Sequence, residues 1–290
     1  MKEVKTNSPA KKNIMRSPAM IIMFIVFVIY GGSILFVVLQ GLSVSLLSTA
    51  DYYKGLLFPS NGFRFDNYAK AWTVVVSPTS KTTLIGMLMN SLWYAVGSSF
   101  FNILFPSITA YVIAKYKFPG RNAFYIYAVV TMMLPIMGAA PASIRFYSMI
   151  GILDTNLMIP MFASSFGENF IILFATFKGL SWEYAEAAFI DGAGHFRVWW
   201  QVMIPQVLSP MFALFMVGFI GRWSETDTAL LFMRTHPTLA SGLYEYSVRD
   251  DYNVPVLFSG FMLSMIPVLA LYIAFQKTIM DIQIGGGLKG

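Results

Sequence analysis

The chain has 290 residues, of which 57% are aliphatic, aromatic or Met and only 12% charged, and its mean hydropathy is +0.63. A soluble domain carries roughly twice that charge to cover its surface, so the composition is that of an integral membrane protein. Cysteine is absent, which excludes disulfides, thiolate zinc sites and thiol nucleophiles; the +6 net charge lies in short loops beside apolar runs, where it sets orientation rather than attracting nucleic acid.

Met1 to Arg16 is polar and basic, and a charge-free run follows from Ser17 to Ala50. Its apolar part, about Met20 to Leu39, reaches the roughly 20 residues that a spanning helix needs. Ser48-Thr49-Ala50 resembles a signal-cleavage site, but the apolar stretch exceeds the roughly 7–15 residues of a signal peptide and more spans follow. The segment therefore reads as an uncleaved first span. Asp51 to Lys81 is a mixed loop in which Asp66 to Trp72 reads as an amphipathic helix at the interface, Tyr68 and Trp72 lying at headgroup level. A second span, about Leu84 to Ile113, holds Asn90-Ser91, which suit helix–helix packing.

Lys115, Lys117 and Arg121 bracket the turn Phe118-Pro119-Gly120. A third span covers about Phe124 to Met137, and Asp154-Thr155 beyond it reads as an N-cap for the next helix. The fourth span, about Leu157 to Phe177, contains Glu168-Asn169. An ionisable group within a span is costly and normally faces a partner, a cavity or a path. Glu168 is thus a candidate for substrate contact; capping a broken helix, or pairing with a neighbouring subunit, explains it equally well. A fifth span runs from about Pro205 to Trp223, and Ser224 to Tyr252 is the longest charged loop. The sixth span is about Val256 to Phe275.

The layout is all-α, with an N-terminal segment at 1–19, a six-span domain at 20–275 and a tail at 276–290 that has no capacity to pack a core. With the N-terminus inside, Lys2, Lys5, Lys11, Lys12, Arg16, Lys115, Lys117, Arg121, Lys178, Arg197, Lys277 and Lys289 are cytoplasmic. The smaller set, Lys54, Arg64, Lys70, Lys81, Arg145, Arg222, Arg234 and Arg249, lies outside. The inside excess supports this orientation, with both termini cytoplasmic.

It also puts Glu183 to Pro205, EYAEAAFIDGAGHFRVWWQVMIP, in the cytoplasm. Glu183, Ala185, Glu186, Ala187 and Ala188 favour a helical turn, and Asp191-Gly192 stops it. A second helical run follows, which Pro205 is expected to halt because it lacks an interior N–H. The expectation is a short helix, a bend and a short helix: a protruding docking element spanning 181–205.

Glu186-Ala187-Ala188, Gly192, Val202, Ile204 and Pro205 stand at the spacings of the EAA loop in membrane subunits of ABC importers, which this stretch resembles. Asp191-Gly192-Ala193 is similar to the form found in the carbohydrate branch. Asp66-Asn67-Tyr68 with Trp72, Asn90-Ser91, Phe118-Pro119-Gly120-Arg121, Asp154-Thr155, Trp223 and Thr238-Leu239 with Gly242-Leu243 match the same family. So does the tail, at Gln276, Gly286, Lys289 and Gly290, which resembles the maltose-type subunit. Phe174, Ser181, Ser224 and Ile282 depart from the pattern, leaving the docking motif intact but weakening any transfer of substrate details.

The resemblance implies the type I ABC importer permease fold and an assembly with a second permease, two cytoplasmic ATPases and an extracytoplasmic solute-binding protein, carrying a carbohydrate across the bilayer. It implies that Glu183, Glu186, Ala187, Ala188, Asp191, Gly192 and Ala193 dock an ATPase and that Gly286, Lys289 and Gly290 of the tail reach toward it. Glu168, Asn169 and Trp223 are candidates for the substrate path. ATP and magnesium would be held by the partners, since this chain has no phosphate-loop motif. His195 and His236 stand apart and make no plausible metal site; His195 reads as a solvated helix residue. Neither a catalytic site nor a cofactor is expected. A non-sugar importer permease, a secondary transporter with ion-coupling acids in its spans, and a scaffold that docks an ATPase without moving solute are the alternatives.

Overall fold

The computed structural model describes residues 18–134 and 138–287, and their regular structure is helical apart from one isolated antiparallel bridge, Val76 to Thr83. In chain order the helices are α1 (Pro18–Ser45), α2 (Thr49–Tyr53), α3 (Asp66–Val74), α4 (Leu84–Lys115), α5 (Arg121–Met133), α6 (Ala139–Met149) and α7 (Met158–Met161). They continue with α8 (Glu168–Gly179), α9 (Glu183–Ile190), α10 (His195–Arg197), a π-helical turn (Val198–Met203), α11 (Ile204–Ser224), α12 (Asp227–Phe232), α13 (Leu239–Ser247) and α14 (Val254–Gly287).

Among the described residues, four helical stretches are long and apolar enough to cross a membrane: Met20–Ser45, Leu84–Lys115, His195–Ser224 and Val254–Gln276. The first is apolar around its whole circumference and exposed along most of its length, as a helix whose solvent is lipid can be. Asn67 anchors its far end, donating to the carbonyls of Ser45 and Leu47, both at 2.9 Å. This Asn is buried in α3, and α3 also lies against α14.

The α4 helix is the spine, packed between α8 and α11. It buries small residues, Ser91, Ala95, Ser98, Ser99, Ser107 and Ala110, so that neighbours approach closely. At Gly97 a Cβ would come within 2.8 Å of Ile159 Cγ2. One core forms around Tyr111, Phe170, Phe177, Trp199 and Met203 near one end of α4; a second gathers Leu84, Met87, Phe219, Trp223, Leu243 and Tyr246 near the opposite end, and a smaller third joins Val44, Leu47 and Val254.

The expected third span is short, its last residues 135–137 lying outside the described residues, and the expected fourth is broken. The α5 helix has 13 residues and α8 has 12, roughly 20 Å of helix against a hydrocarbon thickness of about 30 Å. In place of one helix over 157–177 the chain forms α7, a non-helical stretch at 162–167, and α8. That segment nevertheless runs beside α4 in parallel register. Ile159 faces Gly97, Asn169 donates to the Asn102 carbonyl at 2.9 Å, Phe177 packs on Tyr111 at 5.5 Å, and Lys115 Nζ donates to the Leu180 carbonyl at 2.6 Å.

Two further expectations are corrected. Asp154 caps no helix: it has φ +61, and its carboxylate accepts from the Thr235 amide at 3.0 and 3.1 Å. The segment after Trp223, expected as one long charged loop, holds two short helices, α12 and α13, the latter capped by Thr238, whose hydroxyl accepts from the Ser241 amide.

Candidate coupling element and solute path

The Glu183–Pro205 stretch starts as expected, with α9 as an eight-residue helix. The Ser181 hydroxyl accepts from the Glu183 amide at 3.2 Å, taking up one of the free donors of the first turn. The helix ends in a two-bond lock: the Gly192 amide donates to Phe189 O and the Ala193 amide to Ala188 O, both at 3.0 Å. These are the bonds of the Schellman motif, and they need a left-handed residue at Gly192, whose φ is +82.

The second half departs from expectation. Pro205 does not halt the helix; α10, the π-helical turn and α11 form one continuous rod from His195 to Ser224. A proline ring clashes with the carbonyl four residues back and lacks a donor. Widening the preceding turn to the i→i+5 pattern moves that carbonyl away, so the rod passes through. The element is therefore one short helix hinged on the end of a long one.

The α9 helix turns Ala185 inward, fully buried, with Ala188, Phe189 and Ala193 half-buried beside it. Trp182 and Phe189 close over Tyr116 and His195. Tyr116 Oη lies 2.8 Å from His195 Nδ1, so His195, although exposed, is fixed to the end of α4 rather than freely solvated. Outward stand Glu183, Glu186, Ala187, Asp191 and Gly192, together with Ile190, 86% exposed. Three carboxylates and an apolar tip thus share the free face. Ile190 carried no sequence signal, because an aliphatic residue at that spacing reads equally as core.

The three path candidates do not meet. Glu168 opens α8 immediately after the break and is exposed there, while Asn169 is committed to α4. Trp223 lies at the end of α11, 5% exposed, its Nε1 donating to the Ser264 carbonyl of α14 at 3.0 Å and its ring stacked on Phe219 at 5.6 Å. Gly286 falls within α14, which continues to Gly287 with no break at 276, and Lys289 and Gly290 lie outside the described residues.

Beside Trp223 is a charged cluster that the sequence did not single out. Arg222 Nη1 donates to Glu225 Oε2 at 2.8 Å, Tyr94 Oη donates to the same oxygen at 2.9 Å, and Thr228 donates to the other oxygen of Glu225. Burial opposes ionisation of Glu225, but the Thr228 hydroxyl, the Arg222 charge and Tyr94 outweigh it and hold the carboxyl below its ordinary value. The cluster ties α4, α11 and the start of α12 together at the end of the bundle opposite α9.

Residues 102–281 match the family described as binding-protein-dependent transport system inner membrane component. The chain belongs to that family. It is a multi-pass inner-membrane protein and, as a family member, a transport subunit rather than a catalytic enzyme. Among curated members, the diacetylchitobiose uptake system permease protein NgcG of Streptomyces coelicolor is 28% identical over 241 residues, covering 81% of this chain and 78% of its own length. The maltodextrin transport system permease protein MdxG of Bacillus subtilis is 26% identical, covering 86% and 95%. A chain of a bacterial ABC transporter involved in import of the acidic polysaccharide alginate shares the fold, with a TM-score of 0.75, 20% identity and coverage of 93% of this chain and 99% of that one.

Proposed function

We propose that this family member is one membrane subunit of an ATP-driven, binding-protein-dependent carbohydrate importer, and that α9 is the part that receives force from a separate ATPase. The observation that carries the reading is the presentation of α9. A Schellman lock fixes its C-terminal bend, the rings of Trp182, Phe189 and His195 seat it on Tyr116 at the end of α4, and its inner face is packed by Ala185 while its outer face offers Glu183, Glu186, Ala187 and Ile190. Small and apolar residues permit close seating in a groove, and exposed carboxylates pair with Arg or Lys across an interface. Because the rod from His195 to Ser224 is continuous, a tilt of α9 that passes through the locked bend at Gly192 reaches the far end of α11.

The assembly would comprise a second permease, two cytoplasmic ATPases that bind ATP and magnesium, and an extracytoplasmic binding protein; Gly286, Lys289 and Gly290 would extend toward the ATPases. The carbohydrate class rests on relatives that bear the names of diacetylchitobiose and maltodextrin systems. Six passes with both termini cytoplasmic are supported by the parallel register of α4 with the segment 158–180. Two parallel neighbours need a connection that returns across the full height of the bundle.

Glu186→Lys is the test. The expected result is loss of ATPase co-purification and of ATP-driven uptake by at least about tenfold, the equivalent of roughly 1.4 kcal/mol, with membrane insertion retained. Normal assembly and uptake would remove α9 from the coupling role.

A further inference from the structure

At the end of the bundle remote from α9, helices α11, α13 and α14 enclose a cavity of about 340 Å³ that contains no charged side chain. Trp223, Tyr244 and Phe261 supply rings, and Ser224, Thr226 and Ser264 supply hydroxyls. The volume is at the low end of the roughly 300–1,000 Å³ typical of small-molecule sites. Trp223 is held rigidly, by its bond to Ser264 O and its stack on Phe219. Tyr244 and Phe261 stand 50% and 38% exposed at the mouth. The Ser264 hydroxyl donates to Phe261 O, which leaves its oxygen free to accept, and the Ser224 and Thr226 hydroxyls have no side-chain partner among the described residues.

A pyranose ring has one face of C–H groups and a rim of hydroxyls that both donate and accept. Flat aromatic surface matches the face, and serine and threonine hydroxyls, which also donate and accept, match the rim. No charged side chain lines the cavity, and Arg222, next in sequence to Trp223, is already paired with Glu225 at 2.8 Å, so the lining offers no cation to an anionic group. We propose that this cavity is a subsite for a neutral saccharide in transit, one or two sugar rings at a time. The inference rests on the importer reading above and narrows its substrate: uncharged glycans rather than uronates or sugar phosphates.

The chain has no cysteine, so Ser224→Cys gives a single thiol at the mouth of the cavity. The test uses the complete transporter in proteoliposomes, with N,N′-diacetylchitobiose and a short maltodextrin as neutral probes and an alginate oligosaccharide as the acidic one. A neutral probe at about ten times its dissociation constant should slow maleimide labelling of the thiol about tenfold, because only the unoccupied fraction reacts, and the acidic probe should not. In parallel, Tyr244→Ala and Phe261→Ala should each raise the KM for uptake of the protecting sugar by roughly tenfold, a readout that remains available if the cysteine variant assembles poorly. Protection by the acidic probe alone overturns the proposal. So does a thiol unreactive in the assembly with or without sugar, which would make the cavity an interface with the second permease. If the unaltered transporter takes up no saccharide, the importer reading itself fails and takes the subsite with it; if uptake proceeds with unchanged KM in both variants, only the subsite fails.

Discussion

Arg222 and Glu225 show how much of a membrane protein's polar architecture lies in pairs that sequence spacing half reveals. Three positions apart, they face each other across one helical turn and the helix end, and the pair is intermediate in burial, the side chains 23% and 29% exposed. Exposed pairs contribute about 0–1 kcal/mol, whereas breaking a fully buried one costs about 3–5 kcal/mol. Glu225→Gln is therefore expected to cost about 2 kcal/mol, read as a fall in the thermal midpoint of the detergent-solubilised protein. The pH dependence has a definite sign. A carboxyl held below its ordinary value stabilises the fold above that value and loses the contribution as pH falls through the lowered one. The gap between wild type and Glu225→Gln should therefore be full at neutral pH and close in acid; a gap constant from neutral to acid would show that charge is not what Glu225 contributes. The i,i+3 spacing of this pair was visible in the sequence. Tyr94, which completes it from α4, was not, because nothing local distinguishes a tyrosine that meets a carboxylate from one that fills a core.

At the scale of elements, the docking segment was legible for one half and misread for the other, for a physical reason. Helix formers followed by Asp191-Gly192 encode α9 and its stop locally, so the expectation and the structure agree there. Pro205 is a helix breaker by local rules, but a π-helical turn upstream absorbs the clash, and that compensation has no sequence signature. The same limit explains α8: apolar content marks the span, while the break at 162–167 depends on packing against α4. The hinge at Gly192 makes a sharper prediction than size alone. A Cβ there would meet nothing within 4 Å, so the constraint is the φ of +82 and not space. Asn and Val have similar volumes, but Asn tolerates the left-handed region, where a β-branched residue is a genuine outlier. Gly192→Asn should keep most ATP-driven uptake, and Gly192→Val should cost about 1–2 kcal/mol in hinge geometry and uncouple transport while leaving the chain in the membrane. Equal loss in both would mean that bulk against the ATPase, rather than backbone conformation, is what the position forbids.

For the molecule as a whole, the number of crossings is the property on which the sidedness of every site depends. Among the described residues, four helical stretches satisfy the length requirement by themselves. If only they crossed, 116–194 would form one cytoplasmic segment, and α6 would lie on the same side as α9. The contacts favour the other arrangement. Arg121 donates to Ala114 O at the α9 end of the bundle, whereas Asp154 accepts from Thr235, beyond the opposite end of α11, and Lys115 then meets Leu180 back at the α9 end. The chain between Arg121 and Leu180 thus reaches toward the opposite end of the bundle and returns, and a crossing there would be made by broken helices that bury their loose backbone in protein, where such breaks are tolerated. A single substitution separates the two cases: Ser148, exposed in α6, is extracytoplasmic with six crossings and cytoplasmic with four. In the cysteine-free background, Ser148→Cys should react with a membrane-impermeant maleimide from outside intact cells. It should then behave like Lys54→Cys in the loop after α2 and unlike Asn122→Cys at the start of α5, which should react only after the membrane is opened. If Ser148→Cys patterns with Asn122→Cys, the segment does not cross, Glu168 loses any claim to a place in the path, and the bundle has four spans.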